Sequence, residues 1–278
     1  MPEGPEIRLA ADEVAEAIVG RETTAVFFAF DHLKRYEAEL TGVVVTAVDT
    51  YGKGMVTRFG NGLCIYSHNQ LYGLWMVAKV GEMPDGKPPA TSRSLRLAIH
   101  NEAASTLLYS ASEIQVLHEG EVDAHPFISR IGPDLLHATT TVPLIRERLE
   151  GKKFNGRRYT SLLLDQGFLA GLGNYLRSEI LFVSGLHPNK RPKDSTPEQL
   201  DKLAKAASGL TWQSYRTRGI TNDLVLAEKL KAEGHGYRDY RFWVFNRDGK
   251  PCYQCGTPIV KDVMGGRRIY FCPNCQPS

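Results

Sequence analysis

Apolar side chains recur at Ile7, Ala10 or Ala11, Val14 and Ile18. That three-to-four spacing predicts an amphipathic helix over residues 6–19, stopped by Gly20. The period then shortens, and short β-like runs follow at Thr24–Phe30, Val43–Val48, Met55–Phe59, Leu63–His68, Leu74–Val80, Leu95–His100, Ser105–Ser110 and Ile114–His118. Gly, Asn, Asp and Pro separate them, as in an antiparallel sandwich or barrel. The longest interruption, Gly81–Pro89, reads as a surface loop.

From Pro126 the pattern turns helical. Helices are expected at Val142–Glu150, Tyr159–Asp165 and Tyr175–Val183. Another opens at Thr196-Pro197-Glu198-Gln199, a capping box with proline in the first turn, and runs to about Tyr215. Residues 219–237 carry no decisive pattern, and Phe242–Ser278 returns to short β-like runs around cysteines. The expected class is α+β in two domains: a helix and eight-stranded antiparallel β-sandwich (residues 1–125), then helices (126–237) with a cysteine-bearing hairpin packed on them (238–278).

Composition changes this picture little. The 278 residues are 42% hydrophobic and 23% charged, ordinary for a globular protein. No apolar run approaches the ~20 residues of a membrane span, and no secretory leader precedes the first helix. The expectation is a cytoplasmic protein without a membrane partner. A formal charge of +3 does not by itself call for nucleic acid, so the placement of charge matters more than its sum.

Candidate chemistry is concentrated at a few places. Cys252-x2-Cys255-x16-Cys272-x2-Cys275 has the spacing of a four-thiolate structural zinc site, which leaves the metal no open position for catalysis. Arg267 and Arg268 follow the Gly265-Gly266 turn between the two cysteine pairs, in a stretch rich in basic and aromatic residues that suits a phosphate backbone. Gly171-Leu172-Gly173-Asn174 sits between two helical segments and reads either as an anion site or as a tight corner capped by Asn174. Gln70, Leu71 and Tyr72 lie between two strands, where exposed side chains could wedge into DNA. Lys53 is flanked by Gly52 and Gly54. At the start, Pro2-Glu3-Gly4-Pro5-Glu6 would place a secondary amine beside two carboxylates once Met1 is removed; read alone, it is a helix start with dipole-compensating acids.

Four of these stretches resemble, in combination, the formamidopyrimidine-DNA glycosylase/endonuclease VIII family over essentially the whole chain. They are the N-terminal Pro-Glu-x-Pro-Glu, the Gly-Lys-Gly turn, the run Leu164-Asp165-Gln166-x-x-Leu169-Ala170-Gly171-Leu172-Gly173-Asn174, and the four-cysteine hairpin with its arginine. Gly4 and the His68–Gly73 loop are more similar to the endonuclease VIII branch than to the 8-oxoguanine branch.

The resemblance implies a bifunctional DNA glycosylase and lyase that acts as a monomer on damaged double-stranded DNA, with one structural Zn2+. It implies Pro2 as nucleophile, Glu3 as general acid/base, Lys53 and Arg267 as catalytic phosphate-side groups, and Glu6 in support or as a helix cap. It further implies DNA binding through Gln70, Leu71, Tyr72 and Asn174, with Arg268 an alternative to Arg267. Zinc would be held by Cys252, Cys255, Cys272 and Cys275, and a helix–two-turn–helix element would surround Asn174. Two other readings stay open: an 8-oxoguanine-type glycosylase, and a zinc-ribbon DNA-binding protein without catalysis.

Overall fold

The computed structural model describes residues 2–80 and 91–278, so the expected Gly81–Pro89 loop lies outside the described residues. The chain divides into two compact units. Pro2 and Glu6–Arg130 form the first; Glu3–Pro5 and Ile131–Ser278 form the second.

Helix α1 (Gly4–Ile18), in the first unit from Glu6 onward, buries Ile7, Ala11, Val14 and Ile18, the apolar stripe of the sequence pattern. Eight strands follow among the described residues: β1 (Ala25–Phe28), β2 (Val45–Tyr51), β3 (Gly54–Phe59), β4 (Leu63–His68), β5 (Leu74–Lys79), β6 (Leu95–His100), β7 (Ala104–Tyr109) and β8 (Glu113–His118). They pair into two four-stranded antiparallel sheets, ordered β2-β3-β4-β8 and β1-β6-β7-β5. Met55, Phe59, Leu63, Ile65 and Ile114 from one sheet join Phe28, Trp75, Leu97, Ile99 and Leu108 from the other in one core. Burial of each large apolar side chain contributes roughly 1.5–3 kcal/mol.

Two features go beyond the sequence pattern. Helix α2 (Arg35–Leu40) buries only Leu40, too little apolar periodicity to read. Its Glu37 accepts a hydrogen bond from the Phe28 amide of edge strand β1 at 2.8 Å. The outer face of β3 and β4 is also covered: Val56, Cys64 and Tyr66 pack with Val122 and Ile128. Strand β4 is therefore buried on both faces, which explains its unbroken apolar run Leu63-Cys64-Ile65-Tyr66.

The second unit holds α3 (Val142–Glu150), α4 (Tyr159–Leu162), α5 (Asn174–Val183), α6 (Pro197–Arg216), α7 (Leu224–Ala232) and α8 (Tyr237–Tyr240). Its core joins Ile145 and Leu149 with Leu162, Leu176, Ile180, Leu203 and Leu210. The capping box at Thr196 forms as expected, with Thr196 and Gln199 bonded reciprocally. The expected Tyr159–Asp165 helix ends earlier, at Leu162. Backbone bonds continue as turns, from Leu164 to Ser161 and from Asp165 to Leu162, and side chains tie the loop beyond: Asp165 accepts from the Gly167 amide, while Gln166 accepts from Gly171 and donates to the carbonyls of Leu164 and Leu172. Strands β9 (Val260–Met264) and β10 (Arg267–Phe271) form an antiparallel hairpin. Gly265 and Gly266, at φ 62° and 74°, make the tight turn. Phe182 of α5 packs with Val244, Ile259 and Tyr270 beneath it.

Burial lowers the pKa of His68, His100 and His125, so folding favours their neutral forms. Unfolded imidazoles take up protons near pH ~6.5, so this stabilisation is complete above that pH and is lost as pH falls below it. The denaturant midpoint should therefore be lower at about pH 5.5 than at about pH 7.5, and His100→Asn should narrow that gap. An unchanged gap in the variant would exclude a contribution from His100.

Candidate active site and nucleic-acid interface

Glu3 is 1% exposed although it stands third in the sequence. The amide of Tyr175 donates to its Oε1 at 2.7 Å and the amide of Leu176 to its Oε2 at 3.2 Å. These are first-turn amides of α5, which have no partner within their own helix. A carboxylate here satisfies both donors and meets the positive end of the helix dipole. The Gly4 amide also donates to the Gly171 carbonyl at 2.8 Å, lacing the backbone beside Glu3 to the same loop.

This arrangement revises the two readings of the Gly171–Asn174 loop. The helix N-terminus is an anion site, but the protein's own Glu3 fills it. Asn174 is not the cap; that position belongs to Gly173, which has no side chain. Gly173 is required for space: a Cβ there would lie 2.5 Å from Oε1 of Glu3. Gly171 is required for conformation, at φ 95°. Glu6 sits in the first turn of α1, where its charge suits the dipole.

Asn174 opens α5, and its Oδ1 accepts from Nη2 of Arg177 at 2.7 Å. Arg177 is fully buried; it also donates to the carbonyls of Thr160 at 2.7 Å and Arg268 at 2.8 Å. Burial holds its pKa down to about 10, with the nearby Glu3 carboxylate opposing and Arg267 adding to the shift. Further along the helix, the buried Glu179 accepts from Thr221 and from the amides of Trp243, Val244 and Phe245. No motif marks either residue in the sequence. A charged residue on the apolar stretch Asn174–Val183 is the one signal that could have found them.

The four cysteines come together. Their Sγ atoms all lie within 4.8 Å of one another, with Cys252–Cys275 at 3.9 Å and Cys255 at 3.5 Å from both Cys272 and Cys275. A tetrahedron with Zn–S bonds of ~2.3 Å has edges of roughly 3.8 Å, so the cluster accommodates one structural zinc. The basic count of the tail is less available than the sequence suggests. Lys250 pairs with Asp239 and Lys261 with Asp248. Arg247 is buried against the Tyr253 ring, and Arg241 donates to the Gly219 carbonyl. Arg267 and Arg268 are exposed at the turn. Adjacent in β10, they extend to opposite faces of the strand.

In the first unit, Gly52 and Lys53 form the two-residue turn between β2 and β3, where Tyr51 pairs with Gly54. Gly52 has φ 61°. The Gln70–Tyr72 turn is built by its own bonds. Gln70, at φ 47°, donates through Nε2 to Glu113 and accepts from the Ser112 hydroxyl, and the Gly73 amide closes onto the Asn69 carbonyl at 2.7 Å. Leu71 and Tyr72 are left 54% and 70% exposed. A concavity of about 490 Å³ lined by Glu13, Glu16, Arg21, Val77 and Lys79 contains none of the candidate residues.

Residues 1–111 match the formamidopyrimidine-DNA glycosylase N-terminal domain, residues 131–222 the formamidopyrimidine-DNA glycosylase H2TH domain, and residues 249–277 a zinc finger found in FPG and IleRS. The chain belongs to the formamidopyrimidine-DNA glycosylase/endonuclease VIII family. Endonuclease 8 of an Escherichia coli strain is 47% identical over 276 residues, covering 99% of this chain and 100% of the relative. Endonuclease 8 of Salmonella arizonae is 46% identical over 276 residues, with the same coverage. The fold is shared with a Lactococcus lactis Fpg structure containing N7-benzyl-Fapy-dG DNA, at TM-score 0.81 and 21% identity over all of both chains. Family members are DNA glycosylases with AP-lyase activity, and the fold and four-cysteine site expected from the sequence are present.

Gly173→Ala should force Glu3 from the start of α5, destabilise the protein by about 1–3 kcal/mol as overpacking does, and reduce base excision. Thermal melting and a glycosylase assay would measure both, and a variant with unchanged melting and activity would contradict the packing argument. Cys255→Ser should lower zinc content and DNA affinity while the first unit keeps its circular dichroism signature; unchanged affinity in metal-depleted protein would show that the hairpin does not need its metal.

Proposed function

We propose that this protein excises oxidised pyrimidines from damaged double-stranded DNA and then cleaves the strand by β,δ-elimination, through a Schiff base on Pro2. The observation that carries this reading is the buried Glu3 carboxylate, fixed on α5 one peptide bond from Pro2. The identity to Endonuclease 8 supports the pyrimidine branch over an 8-oxoguanine-type enzyme.

The target nucleotide leaves the stack so that its sugar can be reached. The Pro2 lone pair forms a bond to the anomeric carbon, and the glycosidic bonding pair leaves with the base, which gains a proton. Glu3 takes the proton that the Pro2 nitrogen sheds after attack and passes it to the ring oxygen as the sugar opens, giving an iminium. That cation accepts the electron pair released when the adjacent carbon loses its proton, and the 3′ phosphate departs. A second elimination releases the 5′ phosphate, and water frees Pro2. Lys53 and Arg267 assist the eliminations, Asn174 grips a phosphate, and Gln70, Leu71 and Tyr72 fill the gap left by the extruded nucleotide. Glu6 supports the charge near the amine. Removal of Met1 is a condition of this chemistry, because an acylated Pro2 nitrogen is a tertiary amide whose lone pair is delocalised.

Borohydride should trap the processed wild type on abasic-site DNA, and Pro2→Gly should weaken the adduct. Excision of 5-hydroxycytosine or thymine glycol should exceed that of 8-oxoguanine opposite cytosine. Absence of a wild-type adduct would sink the enzyme mechanism, and the opposite lesion preference would sink the pyrimidine assignment.

A further inference from the structure

Among the described residues, the buried Arg177 guanidinium has no carboxylate in salt-bridge contact, and its Nε has no hydrogen-bond partner. Its three bonds go to oxygens on separate segments: Thr160 in α4, Asn174 at the start of α5 and Arg268 in β10. Burying a cation in this way is costly, and a packed apolar side chain could fill the space. The geometry supplies a reason for the charge. A guanidinium only donates, so it fixes which end of the Asn174 amide faces inward; Oδ1 is held and Nδ2 is turned away. The same Nη2 holds the carbonyl of Arg268, next along the strand from Arg267.

We propose that Arg177 is a positioning residue that sets Asn174 and Arg267 in register with each other for phosphate binding. The proposal rests on the phosphate-gripping roles given to those two residues above. Its planar fork is essential: a lysine brings the charge but cannot hold the three oxygens in one fixed geometry.

The test compares wild type, Arg177→Met, Arg177→Lys, Arg267→Ala and the Arg177→Met/Arg267→Ala double variant, all full length with zinc content checked. Binding to duplex carrying a tetrahydrofuran abasic analogue is measured across salt concentrations, and both elimination products are followed on abasic-site DNA. Arg177 is buried and cannot touch a phosphate itself. Arg177→Met should nevertheless reduce the slope of log affinity against log salt by about 0.9, one phosphate contact. The double variant should lose no more slope than Arg267→Ala alone. The second elimination should slow by about tenfold or more relative to the first. Arg177→Lys should retain stability better than Arg177→Met while showing the same altered slope and product ratio, and it carries the test if the methionine variant does not fold. A wild-type slope and product ratio in the lysine or methionine variant, with only a lower melting temperature, would overturn the proposal. Failure of wild type itself to form either elimination product would instead count against the proposed function.

Discussion

The site depends on a carboxylate docked at a helix end 172 residues away in sequence. Glu3 supplies the acceptors that the first turn of α5 lacks, and α5 supplies the donors and dipole that make a buried anion tolerable. Several neighbouring features follow from that contact. Gly173 leaves room for the carboxylate, Gly171 turns the chain beneath it, and Gln166 bonds the loop from within. The carboxylate that the proposed chemistry uses is thus held by the same bonds that cap α5.

Several charges of the second unit are tied to the protein itself. Arg247, Lys250 and Lys261 are committed to carbonyls or carboxylates of the protein, and Glu179 gathers the backbone of Trp243–Phe245 onto α5. Arg267 and Arg268 are exposed on a hairpin too small to bury a large core of its own. Its rigidity comes from the four thiolates at one end and from Phe182 and Tyr270 beneath it. A net charge of +3 conceals these ties.

Elements with a strong repeating pattern are legible in the sequence. The α1 stripe, all eight described strands and the Thr196 capping box fall where periodicity and cap chemistry put them. The cysteine cluster is legible because zinc ligation constrains spacing within a short segment. The docking of Glu3 is not, because nothing local distinguishes an acid that caps its own helix from one that caps another. Asn174 misleads for the same reason: a good cap residue stands at the helix start, but its side chain answers to Arg177. The early end of α4 is hidden because backbone turns carry the chain on to Asp165 before the side chains of Asp165 and Gln166 tie the loop. The two candidate arginines become distinguishable only once strand alternation places them on different faces.

The Glu3 contact also bears on the order in which the molecule is made. Residue 3 emerges from the ribosome long before α5 exists. At a synthesis rate of about 5–20 residues per second, the intervening chain takes on the order of ten seconds or more to appear. Throughout that interval Glu3 has no docking partner on α5. Once α5 folds, the carboxylate is drawn in and the terminus is anchored with it. The long sequence separation therefore leaves the Glu3 carboxylate without its helix partner until most of the chain has been made.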